Sequence, residues 1–386
     1  MISAAPPPTA VRTERFGHFL SSLVEHPPAQ ALRELRGSRR DINVALCVPM
    51  SGLAGIWGPS ALASAKLAAA EINALSGIGG HACRLIPVDS ADDACDLEET
   101  LIDLVDAGRV DALVGMHTSA ARQRVLRAVG GRLPFVYTPT YEGGERTPGV
   151  FAIGETPPQQ LRPAFEWLRS HARSRRWMFI GNDYVCPRVS HRLAREYVTE
   201  TGGDVVAEVY VPLGTTDFAP VVDQLRRSGA DSVLLSLVGQ DAVEFNRMFG
   251  DEHLSGQVVR LSALIEENEL LGIGCENTDN LYVTSSYFSV LDTDANLSFK
   301  ERYQHHFGDR APTLNSMGQS TYEGVHFLNA LLSDALSGPD EWSRLGQSPL
   351  TYQSARETIY SGARRSKPNV YLARADGHSF DVLTRL

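Results

Sequence analysis

The sequence has no excess of basic residues, no long apolar run and few cysteines. Its 386 residues include 36 Lys and Arg against 46 Asp and Glu, a formal net charge of −10. Binding to a phosphate backbone depends on clustered Lys and Arg, so this balance argues against nucleic acid as a direct partner. The longest apolar runs, such as residues 232–238, are far shorter than the roughly 20 residues that cross a bilayer, so we expect no membrane span.

Features of an oxidised or exported protein are also scarce. The five cysteines form no CxxC pair, and their odd number favours reduced thiols over a framework of disulfides. Near the N-terminus, three consecutive prolines and then Arg12, Glu14 and Arg15 stand where a secretory signal needs an uninterrupted apolar stretch. From these observations we expect a cytoplasmic protein.

Motifs for catalysis, cofactors and metals are missing as well. The sequence contains no P-loop, no GxSxG elbow and no HExxH. His305 and His306 are adjacent, so on a helix they face different directions and cannot hold one metal between them. Because no nucleophile–base set is visible either, we predict that the protein is not an enzyme and has no cofactor and no metal site.

From Asp41 onward, short apolar runs rich in β-forming residues alternate with longer helical stretches. A first series covers residues 41–137, and a second begins near Trp177 after a polar passage rich in Gly and Pro. Strands that alternate with helices of this length form parallel sheets with right-handed crossovers. The predicted fold class is therefore α/β, with two doubly wound parallel-sheet lobes.

Residues 1–40 differ from the rest and form a Pro-rich N-terminal extension. Within it, Phe16, Phe19, Leu20 and Leu23 have the i, i+3, i+4, i+7 spacing of one apolar helix face. This short amphipathic helix either docks on a partner or packs on its own body and frays, as terminal segments usually do.

In parallel sheets, ligands bind beyond the carboxyl ends of the strands. After the third strand, His117, Thr118 and Ser119 open a helix whose hydroxyls and backbone N–H groups can point at a ligand oxygen. Thr118 or Ser119 can also cap that helix, and the two uses are compatible. His117 is either a ligand contact or an ordinary polar loop residue.

Two further strand-end loops contain aromatic and polar residues. The first runs from Tyr137 to Gly143, and its rings and hydroxyls can stack on a flat ligand or simply form a rigid turn. The second runs from Gly181 to Arg188 in the other lobe, where Asp183 or Tyr184 would face Tyr137 across a cleft.

Several motifs carry a family likeness. They are PMSG at 49–52, GIGG at 77–80 followed by RLIPVDSADD, YTPTYEG at 137–143, SLVGQD at 236–241, TYEGVHFLNAL at 321–331 and, most specifically, FIGNDYVCPRVSH at 179–191. In these motifs the chain resembles the type I periplasmic-binding-protein family, the leucine-binding-protein-like group, and within it the amide-sensor and urea-binding branch. The likeness covers nearly everything from Asp41 to about Leu336.

The resemblance implies two lobes joined by a hinge, as in a Venus flytrap. One lobe would comprise residues 41–155 plus about 285–340, and the other residues 156–284 plus about 341–386. It also implies a set of ligand-binding residues. They are Ser119, Tyr137 and Tyr184, with a hydroxyl from Thr138 or Thr140 and Gly239 on the far wall. His117, Thr118 and Asp183 are added as candidates from their positions in the strand-end loops, and His117 stands where the branch usually has an aromatic Tyr or Trp.

The functional expectation that follows is a cytoplasmic sensor for a small neutral amide or a urea-like molecule. Hydroxyls and backbone groups can satisfy a carboxamide without burying a net charge. The chain resembles the amide sensors of amidase and nitrile-degradation operons, and the resemblance implies that a transcription regulator or antiterminator protein is the partner. The alternative is the substrate-binding component of an ABC transporter for urea, short-chain amides or branched-chain amino acids. The sequence leaves the oligomeric state open, a homo-oligomer included.

Overall fold

The computed structural model describes residues 41–91, 96–337, 354, 356–360 and 366–386. The N-terminal extension with its predicted amphipathic helix lies outside the described residues. In the described part of the chain, no helix combines the length and the apolar character needed to cross a bilayer.

The first lobe is built on five parallel strands in the spatial order β2-β1-β3-β4-β5. The strands are β1 (Ile42–Val48), β2 (Cys83–Asp89), β3 (Ala112–Gly115), β4 (Phe135–Tyr137) and β5 (Val150–Ala152). The helices between them are α1 (Gly58–Leu75), α2 (Leu97–Asp106) and α3 (Ser119–Val129).

Alternating side chains of this sheet enter two separate cores. On β1, Val44, Leu46 and Val48 pack in the core on the α1 side, whereas Ala45 and Cys47 pack in the core on the side of α2 and α3. A strand with both faces buried is apolar throughout, which is why β1 reads as a continuous apolar run.

The second lobe is built on a seven-stranded sheet in the order β14-β13-β10-β9-β8-β6-β7. Its parallel strands are β6 (Arg176–Asn182), β7 (Asp204–Val211), β8 (Ser232–Ser236), β9 (Val259–Ser262) and β10 (Leu281–Ser285). The helices among them are α4 (Pro157–His171), α5 (Val185–Glu200), α6 (Ala219–Ser228), α7 (Gln240–Asp251) and α8 (Glu267–Ile273). An antiparallel hairpin of β13 (Tyr371–Asp376) and β14 (Ser379–Arg385) extends the sheet beside β10.

After β10 the chain returns to the first lobe. Helices α9 (Asp294–Phe307) and α10 (Ser316–Ser337) follow, and α10 packs along α1 and contacts β3 and β4. A two-stranded ladder of β11 (Ile359–Tyr360) and β12 (Ser366–Lys367) precedes the final hairpin. The predicted α/β class with two parallel-sheet lobes is confirmed.

The strand orders decide where a ligand can bind. In the first sheet the order reverses between β1 and β3, and in the second it reverses between β6 and β8. Loops at such a switch point run away from each other and leave a crevice beyond the strand ends. The crevices of the two lobes meet, which places the candidate site between them.

Candidate functional site

Direct hydrogen bonds join segments of the two lobes that follow their strand ends. The Trp57 indole N–H donates to Glu269 Oε1 at 2.6 Å, and the Asn268 side chain donates to the carbonyl of Ile56 at 2.8 Å. The backbone N–H of Gln240 donates to the carbonyl of Leu53 at 3.2 Å. Because these contacts link opposite lobes, the structure is in a closed arrangement.

Gly239 lies at this lobe contact, in front of α7. Its φ of +49° is in the left-handed region, and a Cβ there would lie 2.2 Å from the carbonyl oxygen of Leu53 in the other lobe. Glycine is therefore required both for the backbone conformation and for the approach of the lobes.

A cavity of about 30 Å³ lies between the lobes, beyond the strand ends. That volume holds about two ordered waters. Its polar wall is formed by Thr140, Tyr141, Gln160, Ser190 and Ser236 together with Cys186. Its apolar wall is formed by Pro157, Leu161, Leu234, Ala263 and Leu264. A site of this mixed character, a few polar groups set in apolar surface, is typical of small-molecule binding.

A second space of about 10 Å³ adjoins the first and shares Thr140 and Gln160 with it. Arg356 forms part of its wall and donates to Glu155 Oε1 at 3.0 Å, to Ser286 Oγ at 2.6 Å and to the carbonyl of Ser316 at 2.9 Å. These partners lie after β5, after β10 and at the start of α10. Arg356 thus ties together segments that run between the lobes.

The predicted residues of the loop after β3 are all buried, with His117 1%, Thr118 6% and Ser119 2% exposed. Thr118 accepts a hydrogen bond from the backbone N–H of Ala121 at 3.2 Å and so caps α3. Ser119 donates to Glu142 Oε2 at 2.6 Å. His117 packs against the rings of Phe135 and Tyr137, and burial lowers its pKa to about 4, so the imidazole is neutral at pH 7.

In the loop after β4, the three candidates occupy different positions. The Tyr137 ring is buried within the first lobe, and its hydroxyl donates to the carbonyl of His117 at 2.7 Å. Thr138 is fully buried and donates to the carbonyl of Gly115 at 3.3 Å. Thr140, in contrast, lines both cavities. Of these three, Thr140 is the residue that the structure places at the cavity wall.

No sequence motif marks the ion pair that supports this loop. Arg122 Nη2 donates to Glu142 Oε1 at 2.6 Å, and both side chains are nearly inaccessible to solvent. The guanidinium also lies 4.9 Å from the ring centre of Tyr137 and 5.1 Å from that of Tyr141. The one available sequence signal is that Arg122 follows Ser119 by three residues, which puts both on one helix face.

The predicted site residues of the second lobe also lie in different environments. Asp183 is exposed and pairs with Arg188 at 2.6 Å, and this hydrogen bond lowers the pKa of its carboxyl. Tyr184 is half-buried and packs against the core of the first lobe. Cys186, the second residue of α5, lines the cavity together with Thr140 and Tyr141 of the opposite lobe. The loops around Tyr137 and Tyr184 therefore meet at the lobe interface.

At the cavity wall the structure also pairs a serine with a histidine. Ser236, at the end of β8, lies 3.0 Å from Nε2 of His191 on α5. The two residues are 45 positions apart and no motif joins them. Within the described residues, no group of three or more His, Cys, Asp or Glu side chains is arranged to hold a metal ion.

Comparison with known proteins places this geometry in a family. The family model described as "Periplasmic binding protein" matches residues 41–357. The "Leu/Ile/Val-binding protein homolog 6" of Brucella melitensis is 27% identical over 193 residues, which cover 47% of this chain and 49% of that protein. The chain thus spans about half the length of the curated relatives it matches.

Solved structures resemble the whole fold at low sequence identity. A solute-binding protein of an ABC transporter from Rhodopseudomonas palustris HaA2, in complex with p-hydroxybenzoic acid, has a TM-score of 0.80 at 20% identity and covers 90% of this chain and 97% of its own. The branched-chain amino acid transporter substrate-binding protein of Streptococcus pneumoniae, in complex with isoleucine, has a TM-score of 0.75 at 15% identity, with coverages of 90% and 100%.

The family match corrects the expected location of the protein. The expectation of a cytoplasmic protein is wrong, because the family whose model matches residues 41–357 is that of periplasmic binding proteins. That expectation used the cysteine count and the composition of the first residues, and neither depends on the two-lobed body that the family model matches.

Proposed function

Because this chain belongs to the periplasmic binding protein family, we propose that it is the substrate-binding component of an ABC transporter and works in the periplasm. It binds a small polar organic solute between its two lobes and presents the closed form to the transporter. This is a binding role without catalysis.

The cavity between the lobes carries the proposal. Its wall combines Thr140 and Tyr141 of the first lobe with Cys186, Ser190 and Ser236 of the second. A solute there touches both lobes at once, so it stabilises the closed form relative to the open one. A space of about 30 Å³ is smaller than an organic solute, so the lobes must separate for entry and adjust around the solute on closing.

Two groups of solutes suit this wall. The similar structures hold p-hydroxybenzoic acid and isoleucine, both small molecules that combine an apolar part with a carboxyl group and a second polar group. The second group consists of short carboxamides and urea, which are smaller molecules and are expected from the sequence resemblance. The mixed polar and apolar lining accommodates either, and binding measurements separate them.

Regulation of a transcription regulator by the same closure is the weaker proposal. The regulatory role is supported by the sequence resemblance alone. The transporter role is supported in addition by the family match and by the similar solved structures. Pull-down from an extract of the source cells distinguishes the two. Recovery of transporter subunits supports the first role, and recovery of a regulator or antiterminator protein supports the second.

A ligand panel tests the binding role. Purified protein is heated with urea, acetamide, benzamide, benzoate, 4-hydroxybenzoate, leucine and isoleucine, and hits are titrated by calorimetry. A ligand at a hundred times its Kd adds about 2.7 kcal/mol to the free energy of unfolding, which raises the melting temperature by a few degrees. Absence of any shift and any heat across the panel would overturn binding of these solute classes.

Cellular uptake tests the transporter role. Deletion of the gene should abolish uptake of the radiolabelled hit, and the intact gene should restore it. A variant with Gly239→Ala, which obstructs the lobe contact, should restore it poorly. Normal uptake in the deletion strain, or recovery of the protein in the cytosolic fraction alone, would contradict the proposal.

A further inference from the structure

A groove of about 330 Å³ lies on the first lobe between α1 and β2, the strand at one edge of the five-stranded sheet. Lys66 and Asn73 of α1 contribute polar groups to its lining. Its other lining residues are apolar: Leu46 of β1, Leu85 and Pro87 of β2, and Leu62, Ala69 and Ala70 of α1. We call this mainly apolar surface the β2 groove.

The floor of the β2 groove is an incomplete part of the first-lobe core. Every second side chain of β2 points toward α1. Along this face Cys83 is buried, Leu85 is half-buried and Pro87 is exposed. Leu62 and Leu85 pack against the core on the α1 side, yet both remain partly accessible to solvent. Covering apolar surface of this kind is favourable, so the groove suits an apolar occupant.

The N-terminal extension joins the body of the protein beside this groove. The backbone N–H of Ile42, the first residue of β1, donates to the carbonyl of Ala82 at 2.9 Å, just before β2 begins. The extension therefore enters at the paired starts of β1 and β2. Leu46 and Pro87 of the groove lie four residues further along these strands, about 13 Å at a rise of 3.3 Å per residue.

The extension also contains a segment that fits the groove. One face of its predicted helix carries four apolar residues, Phe16, Phe19, Leu20 and Leu23. A helix with a single apolar face needs an apolar surface to pack on. Residues 24–40 connect this segment to β1, and a connection of that length spans up to about 55 Å when it is extended. The segment can therefore reach the whole β2 groove.

Charge and tethering favour the extension over a second copy of the chain as the occupant. The extension has six arginines and three glutamates, whereas acidic residues outnumber basic ones in the rest of the chain. Opposite net charges attract, and two copies of the acidic body repel each other. A tethered segment also has an effective concentration in the millimolar range, on the order of a thousandfold above that of a second copy at micromolar concentration.

We propose that residues 16–23 form a helix that lies in the β2 groove and covers its apolar side chains. The extension then packs on its own body, which is one of the two alternatives that its sequence pattern leaves open. Among the described residues, the β2 groove and the cavity between the lobes share no lining residue. The inference is therefore independent of the proposed function.

Hydrogen exchange of the full-length chain tests this docking. Amides in a docked helix exchange more slowly than those of an unfolded peptide, because the helix must first detach. We expect peptides that cover residues 16–23 to exchange about tenfold or more slowly than an unfolded peptide of the same sequence. Mass spectrometry measures the exchange at two protein concentrations that differ about a hundredfold, since docking within one chain does not depend on concentration.

A first pair of variants tests the apolar face of the extension. Leu20→Asp places a charge on that face and should restore the exchange rate of an unfolded peptide. Ser21→Asp is the matched control, because a helix turns by about 100° per residue and Ser21 lies on the opposite side of the predicted helix. It introduces the same charge one residue away and should leave the slow exchange unchanged.

A second pair of variants tests the groove itself. Leu62→Gln replaces an apolar wall residue and should speed the exchange of residues 16–23 severalfold or more. Leu75→Gln is the matched control, because Leu75 lies at the end of the same helix, is 87% exposed and does not line the groove. Melting curves establish that the variants are folded, and Ala70→Gln replaces Leu62→Gln if the latter is not.

Each outcome decides the inference. Slow exchange that is lost in Leu20→Asp and Leu62→Gln, but kept in both controls, supports docking in the β2 groove. Fast exchange in the wild type, or slow exchange that Leu62→Gln leaves unchanged, overturns it. Protection that rises with protein concentration assigns the groove to a second copy and also overturns it. Ligand affinity is measured separately, so none of these results decides the proposed function.

Discussion

The indole N–H of Trp57 in the first lobe donates to the buried carboxyl of Glu269 in the second at 2.6 Å. The two residues are 212 positions apart and meet because each follows a strand end at its lobe's side of the cleft. We expect separation of the lobes to break this hydrogen bond and to hydrate both groups. The pair therefore reports on closure and contributes to it.

Trp57→Phe should weaken ligand binding. The substitution keeps an aromatic ring but leaves Oε1 of Glu269 without its donor, at a cost of about 1–3 kcal/mol to the closed form, or about tenfold or more in Kd. Calorimetry with the tightest ligand of the panel measures it. Trp167→Phe is the control, since Trp167 stacks on His171 within α4 and makes no lobe contact of this kind. Equal losses in both variants would contradict the role of Trp57.

Ligand affinity should fall as the pH rises through the range where Glu269 ionises. Burial raises the pKa of Glu269 from its ordinary value of 4.5 to about 7 in the closed form. The carboxyl is protonated in both forms below pH 4.5, so closure is most favourable there, and it loses free energy as the pH rises toward 7. By the same linkage, the closing equilibrium drops about tenfold between pH 6 and pH 8.

Glu269→Gln supplies the control for that pH dependence. The neighbouring carboxyls of Glu266 and Glu267 are also buried, and burial raises the pKa of each. Glu266 accepts from the backbone N–H of Ser316 and is near Arg356, while Glu267 accepts from the backbone N–H of Ser289 and is near Lys300. The variant should therefore flatten the pH profile without abolishing it. An unchanged profile would show that Glu269 does not carry the effect.

Gly239→Ala should oppose closure specifically. The added Cβ would lie 2.2 Å from the carbonyl oxygen of Leu53 in the opposite lobe, so the closed form must open slightly or strain. Gly202→Ala is the matched control, since Gly202 has a φ of +73° and open space around its Cβ position. Both variants lose about 1 kcal/mol or so of stability from the backbone. Only Gly239→Ala should also raise Kd, and equal Kd values would contradict the role of this contact.

Arg122→Leu should destabilise the first lobe. It leaves the buried Glu142 carboxylate without the guanidinium 2.6 Å away, and removing one partner of a buried pair costs about 3–5 kcal/mol. Urea unfolding measures the loss. Arg127→Leu, one turn further along α3, breaks an ion pair in which Arg127 is 61% exposed, and should change stability by less than about 1 kcal/mol. Similar losses in the two variants would show that burial of Arg122 is not decisive.

Most of the fold follows from local pattern. Strand β1 reads as a buried strand because both of its faces enter a core, and the alternation of strands and helices implies parallel sheets. Some elements carry no clear local signal. Strand β5 has three residues, and α4 begins with Pro157 and Pro158, which end a loop in sequence but suit the first turn of a helix.

Within the candidate site, the local sequence indicated which loops follow the strand ends but did not indicate which of their side chains line the cavity. The tyrosine-containing loops of both lobes stand at strand ends as predicted, yet Tyr137 directs its hydroxyl to its own lobe while Thr140 lines the cavity. Which of two neighbouring side chains faces a cleft depends on the backbone dihedral angles of the loop and on the packing around it. Periodicity does not resolve a choice between adjacent loop residues.

The sequence by itself determined the class of fold and the repetition of that fold in two lobes, because these depend on patterns within some twenty residues. Tertiary structure alone decided that Trp57 meets Glu269, that Arg356 joins three segments and that His191 lies beside Ser236. Such pairs lie tens to hundreds of residues apart. Their energies depend on distance and burial, and both exist only once the chain has folded.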